Sequence, residues 1–99
     1  MTTNDLAFTP ATEIRDLIAT KEVSPVEVTK LFLDRIEGLD GKLNSYLTVL
    51  PRMAIESAKA AEDAVLRGDD LGLLHGVPVS IKDLEMTNGI RTTSGSLIF

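Results

Sequence analysis

Leu73-Leu74-His75-Gly76-Val77-Pro78-Val79-Ser80-Ile81-Lys82-Asp83, followed by Gly89-Ile90-Arg91-Thr92-Thr93-Ser94-Gly95-Ser96, is the most informative part of the chain. Val77 to Lys82 is short, apolar and rich in β-branched residues, which predicts a strand. Pro78 stands near its beginning, where a missing backbone N–H is tolerated. Asn88-Gly89 is a turn dipeptide, and Ile90 to Thr93 reads as a second short strand beyond it.

Upstream the pattern changes to helical spacing. Thr9-Pro10 reads as an N-cap with proline in the first turn, ahead of Ile14, Leu17 and Ile18. This first helix is expected to end near Thr20-Lys21. Ser24-Pro25-Val26-Glu27 is a stronger start, with Ser24 as cap, Glu27 as its capping-box partner and Pro25 at the first helical position. Val28, Leu31, Phe32, Ile36 and Leu39 then form one apolar stripe on a helix of about four turns, which Gly38 and Gly41 punctuate. Tyr46 to Leu50 is rich in β-formers and stopped by Pro51, so it reads as a strand. From Arg52 to Arg67 the chain is Ala-rich. Ala54, Ala58, Ala61 and Val65 share a face suited to close packing, and Gly68 is the C-terminal stop. The predicted order is helix, helix, strand, helix, strand, turn, strand. That order implies an α/β class with its sheet only begun. Residues 1–8 are polar and aperiodic and read as a loose terminus.

Composition narrows the function classes. With 99 residues, the chain has room for one small domain. At 43% apolar and 25% charged residues it has the balance of a globular protein rather than a disordered one. The net charge of −5, with no basic run, argues against a nucleic-acid-binding face, which needs clustered cations. No apolar run approaches the roughly 18 residues that would span a bilayer, and Met1-Thr2-Thr3-Asn4-Asp5 lacks the layout of a secretory signal. There is no cysteine, which excludes disulfides and thiolate metal sites. A cytoplasmic location fits these features.

Lys82 is the residue with most chemical promise. Burial disfavours the charged form of a lysine, and a neutral amine can act as a base. Ser80, Thr92, Thr93, Ser94 and Ser96 supply hydroxyls with which an amine could exchange a proton. The plain alternative is that Lys82 ends a strand in solvent and Asp83 opens a turn, as most lysines and aspartates do. His75 is the only histidine and has no cysteine or second histidine to make a metal set, so it reads as a loop residue. Glu13, Asp16, Glu27, Asp34 and Glu37 are spaced as solvated helix faces. Gly76, Gly89 and Gly95 form neither a Walker pattern nor a dinucleotide fingerprint.

From about Ala11 to Phe99 the chain resembles the amidase signature enzymes. The weaker part of the likeness is the short helix, Ser24-Pro25-x-Glu27 and Asn44-Ser45-Tyr46. The specific part is Leu74-His75-Gly76-Val77-Pro78 leading to Ile81-Lys82-Asp83, then Gly89 to Ser96. The resemblance implies that Lys82 is the catalytic base of a Ser–cis-Ser–Lys triad. In that triad the base accepts a proton through the middle serine while the outer serine attacks an amide carbonyl. It also implies that Asp83, Thr93, Ser94, Gly95 and Ser96 support the site, and that no metal or cofactor takes part. The implied fold is α/β, with N-terminal helices and the first strands of the family's mixed sheet, incomplete in this chain. Residues 1–99 would then be the N-terminal fragment of a single amidase-signature domain.

The chain departs from the family in lacking the Gly/Ser-rich segment that carries both triad serines. Ser94 and Ser96 align before that segment and are not nucleophile candidates. The expected function is hydrolysis of a small-molecule carboxylic amide by the full-length protein, with the 99-residue chain inactive alone. Glu85-Met86-Thr87 and the Ser94 position favour a stand-alone amidase. The alternatives are an A-type component of a glutamyl/aspartyl-tRNA amidotransferase and a non-catalytic truncated remnant or interaction module. Oligomeric state stays open, with a homo-oligomer and a complementing chain as the options, and neither nucleic acid nor membrane is expected as a partner. Substrate identity lies outside this segment.

Overall fold

The computed structural model describes residues 6–46, 48–82, 88–91 and 93, and in them the chain is a three-helix assembly closed by a turn. Helix α1 runs Ala11–Ala19, α2 runs Pro25–Leu43 and α3 runs Pro51–Arg67. Pro10 is the N-cap of α1 and so stands one position before the first-turn place expected of it. The helix ends at Thr20, and Lys21 takes a positive φ of 66° to turn the chain toward α2. Ser24 caps α2 as the sequence predicts: its Oγ accepts the Glu27 backbone N–H at 3.0 Å. Only this half of the capping box forms among the described residues. Pro25 occupies the first turn of α2, where it has no N–H to lose.

Helix α2 is longer than its glycines suggest. It runs through Gly38 and Gly41 to Leu43 and ends on Asn44, which adopts the left-handed conformation at φ 51°. The Asp40 carboxylate secures that end by accepting the backbone N–H groups of Ser45 at 2.6 Å and Tyr46 at 3.2 Å. A mid-helix glycine costs about 1 kcal/mol relative to alanine, which a well-capped and packed helix outweighs. Helix α3 ends as expected, with Gly68 at φ 77°.

The core forms where the helices meet. Ile14 and Ile18 of α1, Val28 of α2 and Val65 of α3 make one buried cluster, with Val23, Phe32, Leu71 and Val77 packed against it. Val28 lies near the start of α2 and Val65 near the end of α3, so these two helices run antiparallel. Ala58 is buried on the same face as Val65, as the small-residue pattern implied. Leu6 is buried as well, ahead of α1. No helix is long and apolar enough to cross a membrane among the described residues.

The α/β expectation is not met: the described residues contain no strand. Tyr46 to Leu50, less Leu47 which lies outside the described residues, is a helix–helix connection. Its ends are already engaged: the Tyr46 N–H goes to Asp40, and the Leu50 carbonyl accepts the Ala54 N–H at 3.0 Å. Pro51, expected to stop a strand, instead opens α3. Val77 to Lys82 forms no ladder, nor do Ile90, Arg91 and Thr93. The reason is physical. β-propensity measures fit to a half-buried pleated surface, and a lone segment among these residues has no neighbour to supply one.

Gly76 is the one described glycine at which an added Cβ would meet other atoms. Its φ is +80°, and a Cβ there would stand 3.0 Å from both Ile18 Cδ1 and Pro25 Cγ. Gly76→Ala therefore combines a disfavoured backbone with overpacking and is expected to destabilise the chain by about 2 kcal/mol. Gly38 sits in α2 with open space around it, so Gly38→Ala is expected to stabilise by roughly 0.5–1 kcal/mol. Urea midpoints of the two variants, moving in opposite directions from the parent, check this pair.

Candidate active site

Lys82 is reached through a turn that three side-chain contacts hold against the helices. Residues 73–76 form the turn, with the Val77 N–H donating to the Leu74 carbonyl at 3.0 Å and the His75 N–H to the Gly72 carbonyl at 3.3 Å. The Arg15 guanidinium spans from α1 to the chain entering the turn, donating from Nε to the Gly72 carbonyl at 3.1 Å and from Nη2 to the Leu71 carbonyl at 3.3 Å. The His75 ring reaches α3, where Nε2 lies 2.8 Å from the Ala61 carbonyl. A carbonyl can only accept, so Nε2 carries the proton. Gly76 closes on Ile18 and Pro25, and Val77 joins the core cluster.

Past Pro78 the hold ends. Val79 is 82% exposed and Ile81 57% exposed, and Ser80 and Lys82 are exposed too. Lys82 has no hydrogen-bond or ion-pair partner among the described residues. The burial that a basic role asks of Lys82 is therefore not provided by the helices. Thr93 is 9% exposed. Asp83, Ser94, Gly95 and Ser96 lie outside the described residues. A hollow of about 430 Å³ lies between α2 and α3. Leu33, Ile36, Val49, Pro51 and Ile55 line it, and no sequence-predicted site residue does.

His75 lies in a loop, as the sequence predicts, and the structure adds the tie of its ring to α3. Glu13, Asp16, Glu27, Asp34 and Glu37 are all exposed, as solvated helix faces should be. Arg15 is the residue that sequence reasoning missed. One available signal was its place beside Ile14 on a helix whose Ile14 and Ile18 are the buried positions. A basic side chain at the margin of a buried face can lay its stem on the core and send its fork to nearby carbonyls.

Comparison with known proteins gives the site a context. The family model described as Amidase matches residues 27–99, from the start of α2 through Lys82 and beyond. The A subunit of the glutamyl-tRNA(Gln) amidotransferase of Gluconobacter oxydans is 48% identical over 84 residues, 85% of this chain and 17% of that protein. Its counterpart in Moorella thermoacetica is 44% identical over 92 residues, 93% of this chain and 19% of that protein. A Mycobacterium bovis protein named "Putative amidase AmiD" is 46% identical over 88 residues, 89% of this chain and 18% of that protein. The chain thus spans less than a fifth of the length of these relatives. No solved structure matches.

The clamp on the turn is open to a direct test. Arg15→Met keeps the apolar stem and removes both bonds to the Leu71 and Gly72 carbonyls. Those carbonyls lie near water, so the expected cost is about 1–2 kcal/mol, seen as a lower urea midpoint. Amide exchange at His75 and Val77 should quicken, while exchange in the middle of α3 should follow only the change in global stability.

Proposed function

Because the chain belongs to the amidase family, we propose that it contributes the general base, Lys82, to an enzyme that cleaves carboxylic amide C–N bonds. The observation that carries this reading is the family match over residues 27–99, which includes Leu74 to Lys82 and Gly89 to Ser96. The structure supports a division of labour within it. Helices α1, α2 and α3 form a packed seat, Arg15 and His75 pin the turn to it, and Lys82 follows at the end of a segment that leaves the seat.

In this mechanism the neutral Lys82 amine takes a proton, through one serine, from the serine that attacks the amide carbonyl. The attacking oxygen forms the acyl bond, the C–N bond breaks, and the departing nitrogen leaves with a proton returned along the same path. Water then hydrolyses the ester to carboxylate and free serine. Neither serine lies in these 99 residues, so the reading also holds that the chain alone turns over no amide. Asp83, Thr93, Ser94, Gly95 and Ser96 are proposed as supports of the same site. The substrate is a small carboxylic amide, and no nucleic acid, membrane or cofactor takes part.

A second reading has a specific observation behind it, the 48% identity to the A subunit of a glutamyl-tRNA(Gln) amidotransferase. There the same cleavage would release ammonia for transfer to a second acceptor instead of into solvent. Lys82 has the same role in either case.

The test uses a polypeptide that carries these residues together with the family's serine-bearing segment. Lys82→Ala is expected to lower kcat for a simple amide by about 10²–10⁴ with circular dichroism unchanged. Lys82→Arg should fail to restore it, because a guanidinium stays charged and cannot accept the proton. Turnover by the Lys82→Arg protein at the parent rate would remove Lys82 from the role of base. Turnover by the isolated 99 residues would show that the serines proposed to lie elsewhere are not needed.

A further inference from the structure

The Asn88-Gly89 turn has features that neither the fold nor the amidase reading uses. Asn88 and Gly89 are both exposed. Gly89 has a φ of +73°, and nothing lies within 4 Å of the place a Cβ would take. Among the described residues the Gly89 N–H has no hydrogen-bond partner. An asparagine side-chain carbonyl carbon lies within reach of the backbone nitrogen of the next residue. What normally holds the two apart is a Cβ on that residue, a bond on its N–H, or a helix around both. Among the described residues all three are absent here. The rest of the chain supplies the contrast. Asn44 precedes Ser45, whose N–H is bound to the Asp40 carboxylate at 2.6 Å. Asp40-Gly41 has the right pair of residue types but lies inside α2.

We propose that Asn88 is a site of spontaneous deamidation, with water as the only co-reactant. The Gly89 nitrogen attacks Cγ of Asn88, forming an N–Cγ bond. The Cγ–Nδ2 bond breaks, and the amide nitrogen leaves as ammonia, taking up the proton that Gly89 gives up. Water then opens the cyclic imide at either carbonyl. One product has aspartate at position 88, and the other has isoaspartate, in which the chain runs through the side chain. Either adds one negative charge to a chain already at −5. The isoaspartate also lengthens the backbone between Lys82 and Thr93. The change therefore falls between the proposed base and Thr93, and it happens whether or not that base is catalytic.

The 99-residue chain is incubated at mildly alkaline pH and 37 °C, and Asn88 and Asn44 are followed by peptide mapping and isoaspartyl methyltransferase labelling. Asn88 is expected to lose its amide at least an order of magnitude faster than Asn44, with isoaspartate as the larger product. In urea Asn44 should speed up, as Ser45 is released, while Asn88 should hardly change. Gly89→Ala, which restores a Cβ, should slow the loss at position 88 by an order of magnitude. Equal rates at the two asparagines in the folded chain would overturn the proposal. So would a large acceleration of Asn88 in urea, because the turn would then be protecting it.

Discussion

The contact of Gly76 with Ile18 and Pro25 is the constraint on which the described structure depends. Ile18 and Pro25 are among the most completely buried side chains, and they face each other across the bend between α1 and α2. A turn can seat itself there only if it brings a residue without a Cβ in a left-handed conformation, because a Cβ would stand 3.0 Å from both side chains. Once it does, Val77 falls onto Ile14, Ile18, Val28 and Val65, the His75 ring reaches α3, and the carbonyls of Leu71 and Gly72 come under Arg15. Helix α1 has only nine residues, too few to be stable in isolation. It persists because α2, α3 and the turn each cover part of it.

The parts of this arrangement that are legible in the sequence are those that local chemistry decides. Ser24-Pro25 specifies a helix start through one hydroxyl and one fixed φ, and it holds wherever that helix packs. The stripe from Val28 to Ile36 and the Ala58–Val65 face follow from periodicity alone, whereas Leu39, the last position of the expected stripe, is exposed. The end of α2 is harder to read because two glycines are a louder signal than Asn44, yet the bonds from Ser45 and Tyr46 to Asp40 stop the helix there. Pro51 has the look of a strand stop and serves as a helix start. A proline marks a boundary but does not say which side of it is ordered.

The strands are misleading for a different reason. The apolar content of Tyr46–Leu50 and Val77–Lys82 says that these residues favour a pleated surface, not that such a surface exists nearby. Helix formation closes its hydrogen bonds within the segment, whereas a strand needs a partner from elsewhere in the chain. Among the described residues that partner is missing, and apolar side chains in and beside the second segment are left open: Leu73, Leu74, Val79 and Ile81 are all more than half exposed. Family resemblance is what makes Lys82 stand out. Composition and spacing alone would leave it an ordinary surface lysine, and Arg15, which holds the turn, carries no motif at all.

This contrast bears on how a lysine at position 82 could act as a base. The role needs a neutral amine, and the neutral form is favoured by desolvation or by neighbouring positive charge. The helices leave the segment uncovered: the buried cluster ends at Val77, and residues 79–82 are exposed. What they offer is position, since the turn fixes where the chain leaves the core. Position and protonation are thus separate demands on separate residues. Toward the first, Arg15, His75 and Gly76 fix only the point at which the chain leaves the core. The second requires cover over Val79, Ile81 and Lys82, and the apolar character of Val79 and Ile81 suits them to be covered. In the proposed enzyme, then, the packing that hides those two side chains is the same packing that would turn an exposed lysine into a base.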